Sequence, residues 1–256
     1  MSTKFGFIGA GKIAFAMAKD NFRAIGCNAT FNNLDVCNEA DVIFLTTKAS
    51  VFPVILKETR DILDPKRHML ISVAAGVTLK QLSTFVLTNE VPLVRSMPNT
   101  PMLLGNGAGA YCINDAVTKS HKELIHKIFS SVGYFEEVPE HLMDAVCGLS
   151  GSGPAYVYIF IDALTDGGVR MGIPRDLALK LAVNTVAGAA QMVANTGTHP
   201  SQLKDDVCSP GGSTITAIHT LDTAGFRGLV IDAVKNATER TTQLASDVES
   251  LNGKVQ

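Results

Sequence analysis

The sequence predicts an α/β protein in two parts. A doubly wound, mostly parallel sheet is expected over residues 1–139 and an all-helical part over 140–256. Three observations lead there. Short β-rich runs alternate with helical stretches through the first half, and strand signal almost vanishes after Pro139. A glycine-rich turn, Gly9-Ala10-Gly11-Lys12-Ile13-Ala14, directly follows the first strand.

Taken in order, Lys4–Ile8 reads as a strand and Lys12–Ala24 as an alanine-rich helix. Val42–Thr47 is a buried strand, because its apolar residues run together without alternation. Phe52–Ile62 is helical and Met69–Val73 a strand, and Thr78-Leu79-Lys80-Gln81 is a capping box opening a helix to Val86. Strands follow at Pro92–Arg95 and Ala108–Ile113, then a helix over Val117–Val132 and a last strand at Tyr134–Val138. Beyond them the pattern predicts helices over Glu140–Val146, Pro154–Met171, Pro174–Ala194, Pro200–Val207, Thr214–Leu221 and Phe226–Leu251. Gly148–Gly153 reads either as a flexible linker or as tight helix packing. Packing is preferred, because Ala155, Ala163, Gly167 and Gly168 continue the small residues into the next helix, and such faces often meet between subunits.

Composition removes several classes of function. Of 256 residues, 46% are hydrophobic and 18% charged, and the net charge of −2 gives no reason to expect nucleic acid or an anionic membrane as partner. Apolar runs such as Val42–Leu45 and Val157–Ile161 fall far short of the ~20 residues that span a bilayer. A strand pattern starting at Phe5 leaves no room for a leader, so a cytoplasmic location is expected. The five cysteines are scattered without C-x-x-C spacing and the six histidines without H-x-x-x-H pairing, so no metal site is expected.

Two motifs carry chemistry. The first is the G-x-G-x-x-A turn, in which Gly9 permits the tight bend, Gly11 lets a pyrophosphate approach the backbone, and Ala14 allows close helix–strand packing. Ordinary strand–helix turns share this pattern; its place right after a strand favours a Rossmann-type nucleotide site. Only Gly26–Asp41 separates the first helix from the strand at Val42, too short for the usual second strand, helix and third strand. Asn32, Asn33 and Asp35 stand where a ribose-reading residue belongs, so NAD and NADP both remain open. The second motif is Ser209-Pro210-Gly211-Gly212-Ser213-Thr214, ahead of an apolar-periodic helix. A helix start offers unpaired N–H groups and positive potential, two glycines let a carboxylate come close, and Thr214 adds a hydroxyl. Together the two motifs point to a reductase of a small acid.

The chain resembles the pyrroline-5-carboxylate reductase family over nearly its whole length. The likeness rests on Phe7-Ile8-Gly9-Ala10-Gly11, Ala74-Ala75-Gly76-Val77-Thr78, Arg95-Ser96-Met97-Pro98-Asn99-Thr100-Pro101 and Gly148-Leu149-Ser150-Gly151-Ser152-Gly153-Pro154. It continues through Asp166-Gly167-Gly168-Val169, His199-Pro200, Leu203-Lys204-Asp205, Ser209 to Thr214, and Gly225-Phe226-Arg227. The resemblance implies a Rossmann domain with a helical dimerisation domain, a homodimer or ring of dimers, and reduction of 1-pyrroline-5-carboxylate to L-proline with NADPH or NADH. It places Ile8, Gly9, Ala10, Gly11, Lys12 and Ile13 at the pyrophosphate, and Asn33, Thr46, Thr47, Lys48, Ala49, Asn99 and Asp206 around the cofactor. Ala75 falls on the nicotinamide side, and Glu140, Ser209, Gly211, Gly212, Ser213 and Thr214 at the substrate. Lys48-Ala49 departs from a usual Lys-Pro, and Asp206 from a usual asparagine. The family's second strand and following helix look missing, with Gly26–Asn33 aligning to its third strand and the turn after it.

The mechanism this implies has Thr214 orienting the ring nitrogen and water or Glu140 supplying its proton, with positioning the main source of rate. Glu140 after Pro139 reads equally well as the first-turn partner of a helix dipole. Two other functions compete. A catalytically impaired isoform that keeps the dimer would explain the short Gly26–Asp41 stretch. A 3-hydroxyacid dehydrogenase would use Lys180 and Asn184, which lack that family's preceding glycines and read as a helix-surface pair.

Overall fold

The computed structural model describes residues 3–9 and 27–252. These divide into two compact units, one formed by Met1–Pro154 with Val234–Gln256 and the other by Ala155–Ala233. The division expected at 139/140 follows composition, the point where strands cease; compactness follows contacts, and the two criteria cut the chain at different places.

The first unit is built on a six-stranded sheet in the order β1 (Phe5–Ile8), β2 (Val42–Leu45), β3 (Met69–Ser72), β4 (Leu93–Met97), β5 (Gly107–Ile113), β6 (Gly133–Glu137). All neighbours run parallel except β4 and β5, which are antiparallel through Val94↔Ile113 to Met97↔Ala110. Helices cover both faces, as the continuous burial of β2, β3 and β4 requires. On one face α1 (Asn33–Glu39), α2 (Phe52–Thr59) and α3 (Leu79–Val86) pack Cys37, Phe52, Leu56, Leu82 and Phe85 against Ile8, Ile43, Leu45, Leu70 and Leu93. On the other, α4 (Lys119–Ser130) brings Ile125 and Phe129 onto Val42, Phe44, Ile71, Val94 and Tyr111. The rings of Tyr111 and Phe135 stack on Phe129 at 5.4 and 4.7 Å.

The expected capping box is present: the Gln81 N–H donates to Thr78 Oγ1 at 3.1 Å, and the Thr78 N–H to Gln81 Oε1 at 2.9 Å. The expected helix over Lys12–Ala24 lies outside the described residues. One expectation, that Gly26–Asn33 aligns with a strand and the turn after it, is corrected: its described part, residues 27–33, supplies no strand. Residues 27–32 are irregular and Asn33 already begins α1, so β1 pairs directly with β2 and no described strand pairs with its outer side. Too few residues separate the turn from β2 to form a further strand and also return to the sheet.

After β6 the chain makes α5 (Met143–Val146) and a π-helical turn over Cys147–Gly151. Gly148 lies so close to the C-terminal helix that an added Cβ would sit 2.2 Å from Thr238 Oγ1, so this glycine stretch is a packing surface. The second unit holds most of α6 (Gly153–Arg170), α7 (Arg175–Thr196), α8 (Pro200–Asp206), α9 (Ser213–Thr223) and the first turns of α10 (Phe226–Asn252). Within it only Thr165, Ala178 and Ala182 are buried, while Tyr158, Ile159, Leu177, Leu179, Leu181, Leu229 and Ile231 are exposed. Gly168 packs against Ala178, where an added Cβ would lie 3.2 Å from the alanine's own. The expectation that no segment reaches membrane-spanning length also needs correction. By length and composition α7 is long and apolar enough, because its alanines and valines extend the apolar face between Lys180 and Thr196.

Candidate active site

Strands β1 to β4 run parallel, so the residues that follow them gather along one carboxyl edge of the sheet, where open α/β sheets bind ligands. Gly9, Thr46–Ala49, Ala75 and Asn99 all stand there. Gly9 has φ +106°, and a Cβ on it would lie 2.7 Å from Thr47 Cγ2, so only glycine makes this turn. Thr46 Oγ1 donates to the carbonyls of Ile8 and Gly9 at 3.0 and 2.9 Å, fixing the end of β1 against β2. Beside it, the buried Thr47 hydroxyl has no partner among the described residues. A bare backbone turn beside an orphaned buried hydroxyl fits a polar ligand with oxygen acceptors, as a dinucleotide phosphate is. Lys48 precedes a short 3₁₀ turn over Ala49–Val51 and is exposed. Ala10, Gly11, Lys12 and Ile13 lie outside the described residues.

Along the outer side of β1 runs a cavity of about 1090 Å³, bordered by Gly6, Gly9, Asn28, Phe31, Asn33 and Asp35. Asn33 turns its amide to Glu58 Oε2 at 3.0 Å, and Asp35 accepts from Thr30 Oγ1 at 2.7 Å and from the Asn32 amide at 3.3 Å. These bonds hold the irregular segment that leads into α1.

The loop after β3 carries Ala75, partly buried, and Gly76 at φ +72°. A Cβ on Gly76 would lie 2.8 Å from Leu244 Cβ and 3.0 Å from the Thr241 carbonyl oxygen, so the loop is pressed against α10. Asn99 is buried and its amide is spent on the protein: Nδ2 donates to the Ser150 carbonyl at 3.0 Å, and Oδ1 accepts from the Ala108 N–H at 2.9 Å. It joins the end of β4 to the π turn and to β5.

Glu140 opens a 3₁₀ turn, but the helix whose N-terminus it serves is α3, not its own. Its Oε1 accepts from the Leu79 N–H at 2.7 Å and from Arg95 Nη1 at 3.3 Å. Arg95 Nη2 reaches Asp144 Oδ1 at 2.5 Å, and Asp144 Oδ2 accepts from Thr242 Oγ1 at 3.0 Å. Arg95 is 2% exposed, in a strand buried along its whole length. Sequence reasoning quoted Arg95 without a role and did not single out Asp144 or Thr242. The available signal was a charge inside the apolar run of β4, since a buried arginine demands partners.

In the second unit Gly211, at φ +67°, and Gly212 lead into α9, with Gly212 as its N-cap and no side chain capping it. The Gly212 N–H donates to the Ser209 carbonyl at 3.0 Å, and a Cβ on Gly212 would meet Ser209 Oγ at 2.4 Å, so the turn is tight and bare. Ser213 and Thr214 form the first turn, where backbone N–H groups point outward toward an acceptor. Asp206 ends α8 and accepts from the Gln202 amide at 2.8 Å. Lys204 pairs with its neighbour Asp205. Asn184 donates to the Lys180 carbonyl at 2.8 Å and is exposed, the behaviour of a helix-surface pair.

Comparison with known proteins matches this arrangement. The family model described as "Pyrroline-5-carboxylate reductase dimerisation" matches residues 140–244, and one described as "NADP oxidoreductase coenzyme F420-dependent" matches 19–76. Pyrroline-5-carboxylate reductase 2 of Homo sapiens is 41% identical over 94% of this chain and 83% of its own. The pyrroline-5-carboxylate reductase of Glycine max is 41% identical over 95% of this chain and 97% of its own. Among solved structures, the NADP-bound pyrroline carboxylate reductase of Plasmodium falciparum superposes with a TM-score of 0.88 at 32% identity, covering 95% of this chain and 98% of that one. The Coxiella burnetii pyrroline-5-carboxylate reductase gives 0.85 at 30% identity over 95% and 98%.

Proposed function

This chain belongs to the pyrroline-5-carboxylate reductase family and reduces 1-pyrroline-5-carboxylate to L-proline with NAD(P)H; from that premise we propose how its residues divide the work. The observation that carries the reading is the bare turn at Gly9, which excludes any Cβ, beside the unpartnered Thr47 hydroxyl.

Residues 8–13 would hold the pyrophosphate, with Thr47, Lys48 and Ala49 beside it, and the cavity beside β1 near Asn33 would take the adenosine half. When bound, the reduced nicotinamide supplies the hydride, which adds to the imine carbon while the ring nitrogen takes up one proton. The substrate carboxylate is held by the N–H groups of Ser213 and Thr214 at the uncapped start of α9, with Ser209, Gly211 and Gly212 shaping the approach. Thr214 orients the ring nitrogen through its hydroxyl. No strong base is demanded, because the imine gains a proton, and water serves as its source. Fixing the two reactants in line accounts for most of the acceleration, about 7–11 kcal/mol in favourable cases.

The match to a dimerisation domain and the exposed leucines of α7 support a homodimer, with rings of dimers as the larger assembly. We read the apolar face of α7 as subunit contact and the enzyme as cytoplasmic.

The test is turnover of 1-pyrroline-5-carboxylate by the purified protein with NADPH and, separately, NADH, followed as loss of cofactor absorbance. Turnover with either is expected, and Thr214→Ala should lower kcat/KM by about tenfold or more, as the loss of one oriented hydrogen bond does. A folded dimer without turnover would overturn the reading, and wild-type kcat/KM in Thr214→Ala would overturn the role of Thr214.

A further inference from the structure

We propose that Arg95 is a positioning residue for the nicotinamide side of the site, acting through Glu140 on the N-terminus of α3. Glu140 is thereby a charged cap and not the proton source. The inference rests on the reading that the Ala74–Val77 loop faces the nicotinamide.

The geometry supplies each link. Arg95 sits in the middle of β4, beside Ser72 of β3, and its guanidinium spans two carboxylates, Glu140 at 3.3 Å and Asp144 at 2.5 Å. The carboxylates are partly exposed, 35% and 24%, whereas the arginine side chain is 3% exposed, so the cation is the fixed centre and the anions gather on it. Glu140 Oε1 then takes the Leu79 N–H, the first donor of α3, and places negative charge where the helix dipole favours it. The Ala74–Val77 loop enters that helix directly, so its end is pinned at Leu79 by Glu140 and at Thr78 by the capping box.

A second set of contacts ties the same loop to α10. Gln81, the other arm of the capping box, donates from Nε2 to the Ala245 carbonyl at 2.8 Å. Gly76 abuts Leu244, and Thr242 returns to the arginine through Asp144. The loop, the start of α3, the Glu140–Asp144 segment and α10 therefore share one buried cation. A carboxylate that accepts from both a guanidinium and a helix N–H is already committed as an acceptor, which suits an anchor better than a group that must release a proton each turnover.

Steady-state kinetics over the pH range in which wild-type kcat varies would test this, with KM measured for NADPH and for 1-pyrroline-5-carboxylate. Arg95→Met and Thr242→Val are expected to raise KM for NADPH by about three- to tenfold, the size of a lost hydrogen bond, while KM for the imine and the shape of the kcat–pH profile stay as in wild type. Arg95→Lys should recover part of the loss, because an ammonium keeps the charge but cannot fork to both carboxylates. Glu140→Gln keeps an oxygen for the Leu79 N–H and should show a smaller rise with the wild-type profile. A flattened kcat–pH profile in Glu140→Gln, or a change confined to KM for the imine, would overturn the proposal. If Arg95→Met does not fold, Thr242→Val and Glu140→Gln retain the buried cation and carry the same readouts. Ala75→Leu separates the underlying reading. Raised KM for NADPH there with normal network variants overturns the proposal alone. Unchanged KM there overturns the reading of the loop and the proposal with it.

Discussion

His68 shows how a single side chain holds the shortened nucleotide half together. Its ring is buried, with Nδ1 accepting from the Asp64 N–H at 2.8 Å and Nε2 3.0 Å from the Cys37 carbonyl. An N–H can only donate, so Nδ1 carries the lone pair and Nε2 the proton, donated to the last turn of α1. The neutral ring is the form that fits. Burial pushes its pKa below the ordinary 6.5, against the opposing pull of the Cys37 carbonyl. The unfolded chain then binds a proton more readily than the folded one, so this stabilisation is complete above pH 6.5 and is lost as pH falls through the lowered value. Denaturant midpoints measured against pH should decline as pH falls from 6.5 through that value, and less steeply in His68→Gln.

Among elements, the two capping boxes make a controlled comparison. Thr78 with Gln81 opens α3, and Thr118 with His121 opens α4, each with both arms formed. Removing either threonine hydroxyl should cost about 1 kcal/mol, the usual worth of an N-cap. Thermal unfolding of Thr118→Ala should register that loss with kinetic constants as in wild type, because α4 packs on the sheet face away from Ala75. Thr78→Ala should lose the same stability and also raise KM for NADPH, because α3 follows the loop that carries Ala75. The α1 segment is held by side chains from its neighbours. Arg67 donates to the Asn38 carbonyl at 2.8 Å and to Asp41 at 3.1 Å, and Asn33 to Glu58 at 3.0 Å.

For the whole molecule the two units pose opposite problems. The first has a core on each face of its sheet and buries β2, β3 and β4 along their whole length. The second exposes leucines and isoleucines on most of its helices and buries little beyond alanine and threonine. An apolar surface of that extent is covered by another surface in a stable protein. Leu181, exposed in the middle of α7, is a direct probe. Sedimentation of Leu181→Asp should show a smaller species than the wild type, with unfolding at lower temperature, because the substitution puts a charge on the face proposed as subunit contact. An alignment of 271 positions that takes in 94% of this chain leaves about 30 positions of the relative without a counterpart, and among the described residues the sheet ends at β1. Among the described residues β1 is the edge strand and pairs on one side with β2.

By itself the sequence determined the alternation of strands and helices, the capping box at Thr78, the glycine turn at Gly9 and the bare helix start at Gly211–Thr214. These are local properties, set by periodicity, backbone sterics and capping chemistry within a few residues. Even the shortened sheet was legible, as a count of residues too few for two strands. The role of Gly26–Asn33 was not, because whether a segment becomes a strand depends on a neighbour to pair with. Tertiary structure alone decided that Glu140 caps a helix 61 positions away and shares Arg95 with Asp144, and that Asn99 spends its amide on Ser150 and Ala108. A buried charge or amide is satisfied by whatever the fold brings within reach, and that partner has no fixed spacing in the chain.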